Sequence, residues 1–226
     1  MKKRYILIEF LLVFMFLVLP PLFVKASSGI SKTLTFTPAA AVQLLVAVFL
    51  QMHFVYFLRP ANNASSVNSA KKAGRIFTVS FWWSITLGSL MLIFALMQTL
   101  SFFIEQNAHH TMQSVTSVFA WISVTVSVAI AAFYEEALYR QFLPEVSAIL
   151  LVGKINKKIF FHFIEVLVIL IFAFSHRYLG FIPVLNAFAC GAVLRLCYRK
   201  TGSIWTGALA HFTYNMTLII FSQIID

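Results

Sequence analysis

The chain has 226 residues, 61% of them apolar and 11% charged, with 25 phenylalanines. A water-soluble domain carries about 45–50% apolar and about 25% charged residues, and a mean hydropathy of +0.90 leaves more apolar surface than a chain of this size can turn inward. These figures exclude a soluble domain; the formal charge of +10 from 17 Lys/Arg and 7 Asp/Glu sits in short basic clusters between apolar runs, the positive-inside pattern of a membrane protein with lipid, and no nucleic acid, as its partner.

A transmembrane helix takes about 20 apolar residues, and the sequence predicts seven, at about 5–24, 38–58, 77–104, 114–143, 159–176, 182–198 and 203–223. None alternates apolar with polar residues as a barrel strand would. The fold class is therefore all-α, a polytopic helical bundle in a single integral membrane domain over 1–226, with a central polar cavity. The first span also has the basic start and the Val24-Lys25-Ala26 end of a signal peptide, but its apolar run exceeds the usual 7–15 residues, which favours a retained span. With Lys2, Lys3 and Arg4 inside, the weave of the chain puts Arg59, Lys71, Lys72, Arg75, Arg140, Lys154, Lys157, Lys158, Arg195, Arg199 and Lys200 on the cytoplasmic side, and only Lys25, Lys32 and Arg177 outside. The N-terminus is thus expected inside, and a multi-pass protein of a bacterial cytoplasmic membrane is the expected setting.

Ionisable groups in hydrocarbon are costly, so those present are read first as paired or functional. Along the fourth span, Glu135 and Glu136 are neighbours, about 100° apart on a helix, so their roles should differ. Glu136 and Arg140 stand at i and i+4, the spacing of a helical ion pair, which leaves Glu135 without a local partner. The fifth span ends in Phe172-Ala173-Phe174-Ser175-His176, and on the seventh His211 and Asn215 are again i and i+4, projecting together from an apolar helix. Glu165, eleven positions before His176, shares its face and either lines a cavity with Phe172, binds a helper cation, or pairs with another helix. Glu9, His53 and His162 are assigned to packing or interface, and His109 and His110 to a solvated outer loop. Cys190 and Cys197 lie two turns apart on one helix, too far to bridge, and are read as packing residues.

These runs, in this order, resemble the CPBP family of intramembrane proteases, which includes the type II CAAX prenyl endopeptidases and the bacteriocin-processing or Abi-type immunity proteins. The family pattern is Glu-Glu-x-x-x-Arg, Phe-x-x-x-His and His-x-x-x-Asn, standing here as Glu135-Glu136 with Arg140, Phe172 with His176, and His211 with Asn215. The likeness covers about residues 115–220, the protease-like core; the three spans within 1–104 match only as generic membrane helices. Tyr139 and Gln141 depart from the Phe and Gly that usually flank the arginine.

No G-x-S-x-G elbow and no H-E-x-x-H occurs, so water is the expected nucleophile. Withdrawing a carboxylate from bulk water makes it a stronger base, and Glu135 is the candidate base. The resemblance implies that Glu135 and His176 activate the water, that His211 and Asn215 hold the oxyanion, and that Glu136 and Arg140 support them. It also admits a zinc enzyme with Glu135, His176 and His211 as ligands; the metal-free reading is preferred because an Asn amide is a good oxyanion donor and an uncommon zinc ligand. At about 1.5 Å per residue, Glu135 and His211 each lie roughly 12 Å above the inner face if the fourth helix stops before Pro144, but His176 comes out near 26 Å. The fifth helix is therefore expected to tilt strongly, or to begin in the cytoplasmic layer near Lys157 and Lys158.

The function implied is an endopeptidase acting on a membrane-associated or lipidated peptide or protein. The alternatives are an immunity or peptide-binding protein of the same fold without turnover and, without an internal repeat to favour it, a proton-coupled carrier. The topology is testable on single cysteines introduced at Asn107 and Asn156: a membrane-impermeant maleimide is expected to label the first from outside and the second only from inside.

Overall fold

The computed structural model describes residues 3–24, 38–58, 69–104, 115–151 and 157–225. Chain immersed in hydrocarbon must satisfy its own backbone N–H and C=O groups, and the described residues do so with helices and no strand. In order these are α1 (Lys3–Leu22), α2 (Pro38–His53, prolonged by Phe54–Leu58), α3 (Ser69–Ile104), α4 (Val118–Leu151), α5 (Lys157–Phe174), α6 (Phe181–Thr201) and α7 (Ile204–Ile225). Six of them, α1 to α6, are long and apolar enough to cross a membrane, which bears out an integral membrane protein built as a helical bundle. The helix α7 has 22 residues and carries His211, Thr213 and Asn215. Large side chains such as Phe16 (72% exposed), Phe102 (76%) and Phe119 (84%) point outward, as lipid-facing residues do.

Three helices carry a stretch of wider, i→i+5 turns: Phe14–Val18 in α1, Phe54–Leu58 at the end of α2 and Glu136–Phe142 in α4. In the sequence each stands just before a proline, respectively Pro20, Pro60 and Pro144. Proline lacks an N–H and its ring crowds the carbonyl four residues back, and widening the preceding turn lets the helix continue past it. The fourth helix accordingly runs through Pro144 to Leu151 rather than ending near residue 143 as its sequence suggested. The fifth begins at Lys157.

The wide turn of α4 is the hub of the bundle. All seven of its residues are buried, and it touches α2, α5, α6 and α7. Ala47 of α2 and Ala137 of the turn, both fully buried in one cluster with Tyr198 and Ile204, let two backbones approach closely. Leu138, Tyr139 and Phe142 pack with Ile6 and Val13 of α1 and Phe172 of α5. On the other side α3 lies along α6 and α7 around Leu90, Leu194, Cys190 and Tyr214. Both cysteines are free and buried. Gly202, with φ 63°, closes α6 by donating to the Tyr198 carbonyl; this left-handed cap reverses the chain so that α7 starts at Ile204 and packs back against α6.

Two of the basic residues expected at the cytoplasmic face are inside the bundle instead: Arg140 is 0% and Arg195 3% exposed. Glu9 and His53 form an ion pair of 2.6 Å between α1 and α2. The expectations for Lys2, Lys25, Lys32, Arg59, Lys154, His109 and His110 lie outside the described residues.

Candidate active site

Glu136 opens the wide turn of α4 and Arg140 follows within it, so the two side chains share one face; Arg140 Nε lies 3.4 Å from Glu136 Oε1. Both are 0% exposed. The Arg140 guanidinium lies over the Phe172 ring, 4.1 Å from its centroid, a cation–π contact that gains strength away from water. Gly207 of α7 completes this seat. A Cβ there would stand 2.9 Å from Glu136 Oε2, so any larger residue would press on this carboxylate.

His211 reaches in from α7. Its Nδ1 lies 3.3 Å from Glu136 Oε1 and its Nε2 3.9 Å from Glu135 Oε2. The neighbouring carboxylates do diverge, as successive helical residues must, yet they address opposite nitrogens of one imidazole. Their surroundings differ: the Glu136 side chain is 1% exposed and that of Glu135 24%. One turn on from His211, the half-buried Asn215 amide makes no hydrogen bond among the described residues.

His176 stands just past the end of α5, whose last residue is Phe174. The Ser175 hydroxyl donates to the Phe172 carbonyl at 2.7 Å, and His176 Nδ1 lies 2.9 Å from the same oxygen. A carbonyl can only accept, so Nδ1 is the donor in this contact. The His176 ring packs edge-on against Phe172, centroids 4.8 Å apart, and Phe172 packs on Tyr139 at 5.1 Å. No ion pair or hydrogen bond joins His176 to Glu135 or His211; Phe172 stands between His176 and Arg140.

Glu165 takes no part in this cluster. It is 5% exposed and pairs with Arg195 Nε at 2.8 Å, Arg199 Nη1 at 3.2 Å and His162 Nδ1 at 3.1 Å, so of its three readings the structure shows pairing with another helix. Among the described residues no three His, Cys, Asp or Glu side chains converge as metal donors, and no hydrogen bond or ion pair joins His176 to the Glu135–His211 pair. Three contributors escape the motifs: Gly207, Arg195, and the wide turn itself, for which Pro144 was the available signal.

An integral membrane protein that draws two carboxylates, a guanidinium and an imidazole from two helices into its centre has the makings of an intramembrane hydrolase. Residues 117–217 match the family described as type II CAAX prenyl endopeptidase Rce1-like, so this segment of the chain is similar to that family. The match runs from the residue that caps α4 to within α7 and contains every site residue named above. Comparisons with curated proteins and with solved structures give no match.

Replacing Arg140 by Met strands the buried Glu136 carboxylate, and losing one partner of such a pair costs about 3–5 kcal/mol. The melting temperature in detergent is expected to fall sharply for Arg140→Met and to recover much of the loss in Arg140→Met/Glu136→Gln. Equal melting of the single variant and the wild type would show that the pair holds nothing.

Proposed function

We propose that the chain is an intramembrane endopeptidase that hydrolyses a membrane-associated or lipidated peptide with water activated by Glu135. The observation that carries this reading is the imidazole of His211 set between two carboxylates of unlike exposure. Two hydrogen bonds of about 2.8 Å meeting at a right angle span about 4 Å, so the 3.9 Å between Glu135 Oε2 and His211 Nε2 suits one oxygen atom bonded to both. Glu135 is the better exposed carboxylate and so the one a substrate can approach.

In this mechanism Glu135 takes a proton from water as the oxygen attacks the scissile carbonyl carbon, and later delivers it to the leaving amine as the C–N bond breaks. The negative charge passes to the carbonyl oxygen, where His211 and the uncommitted Asn215 amide donate. Glu135, Glu136 and Arg140 sum to one negative charge, so a His211 protonated on both nitrogens brings the cluster to neutrality and can serve as a donor. Glu136 orients the imidazole through Nδ1, and Arg140 holds Glu136. His176 assists the base where substrate draws it in. Prenylated C-terminal peptides are the first substrates to try because of the family, and the setting is the membrane.

Glu135→Gln keeps the shape and removes the base. Turnover of a farnesylated CAAX-type peptide in liposomes is expected to fall about 10²–10⁴-fold with peptide binding retained; a variant that cleaves as fast as the wild type overturns the assignment, and a wild type that binds without cleaving leaves a peptide-binding immunity protein. The same assay on thoroughly demetallated protein is expected to keep its rate. Activity that disappears and returns with zinc would replace this mechanism by a metal-dependent one.

A further inference from the structure

In regular α-helical spacing the donor to the Arg140 carbonyl would be residue 144, and Pro144 has no N–H to give. The carbonyl finds its donor on another helix: Arg195 Nη1 of α6 donates to Arg140 O. The same guanidinium donates through Nε to Glu165 Oε1 of α5 at 2.8 Å and through Nη2 to Glu145 Oε1 at 3.1 Å. Glu145 is the residue after Pro144, so Arg195 grips α4 on both sides of the proline and ties it to α5. It is 3% exposed and lies between the rings of Tyr198 and Phe161, 5.1 and 5.6 Å from their centroids. Arg199, one turn along, also bonds Glu165, at 3.2 Å, but none of its hydrogen bonds reaches α4.

We infer that Arg195 is the positioning residue of the catalytic turn: it supplies the hydrogen bond that Pro144 withholds and so fixes the Glu136–Phe142 turn in the register that sets Glu135 and Glu136 on His211. The inference rests on the protease reading for its kinetic consequence and on geometry alone for its structural one. Arginine is required by the task. Three donors of one planar fork meet three acceptors on two helices, whereas a lysine ammonium keeps the charge that balances Glu165 but cannot hold all three.

The test compares wild type, Arg195→Lys and Arg199→Lys in liposomes of phosphatidylcholine and phosphatidylglycerol, with a quenched farnesylated CAAX-type peptide as probe and amide hydrogen exchange as the second readout. A misplacement of about 1 Å costs about 10²-fold in rate. Arg195→Lys is therefore expected to lose about that much kcat with KM unchanged, and to exchange faster at the amides of 136–142 but not of 207–215; Arg199→Lys is expected to match the wild type in both. Adding Pro144→Ala to Arg195→Lys returns an N–H to residue 144 and is expected to restore exchange protection of the turn, which a general loss of ion pairing would not allow. Wild-type kcat and exchange in Arg195→Lys, an equal loss in Arg199→Lys, or no return of protection in the double variant each overturns the inference. Should the wild-type protein cleave nothing, the protease reading fails and the exchange comparison still decides the role of Arg195.

Discussion

A helix surrounded by lipid has no water to take up a carbonyl that loses its partner, and in α4 Pro144 removes one such donor next to the buried Glu136 and Arg140. The consequences spread outward from there. The helix widens over Glu136–Phe142, the displaced carbonyl of Arg140 is captured by Arg195, and the turn so formed becomes the surface against which four other helices pack. Proline at this point disturbs regular structure and by doing so gives the bundle its centre.

The same turn solves an electrostatic problem. Buried charges are tolerated when each faces an opposite one and the geometry is fixed, and two ionic groups share the interior: Glu136, Arg140 and His211 on one side of the turn, Glu145, Glu165, Arg195 and Arg199 on the other. The first ends in a carboxylate, Glu135, that retains access to its surroundings. The second is closed on itself, with every acidic group matched by a guanidinium.

Polar residues at i and i+4 on otherwise apolar helices are legible in the sequence: Glu136 and Arg140 do pair, whereas His211, which shares its helix with Asn215, turns to the two glutamates instead. The bundle was legible for the related reason that long apolar runs leave the backbone few options. The wide turns were missed because helical periodicity was taken as constant and Pro144 as a stop, although prolines follow all three of them. Arg195 was counted among topological charges, since the positive-inside rule weighs a residue by its loop and not by its burial. Glu165 lay on the face its spacing indicated, but what that face met was decided by α6. The depth of His176 was estimated on a straight helix, whereas the helix ends two residues earlier and the imidazole turns back to the Phe172 carbonyl.

The helix α7 carries His211, Thr213 and Asn215 among its apolar residues. Insertion of a segment into the bilayer is driven by its apolar residues and opposed by its polar ones, so α7 depends on partners already in place, and the left-handed cap at Gly202 delivers it directly onto α6. Biogenesis thereby acquires an order. A nascent chain that has threaded α4 into the membrane holds Glu135 and Glu136 without an imidazole to face them, and the arrangement is completed only when the last hairpin brings His211 against both carboxylates.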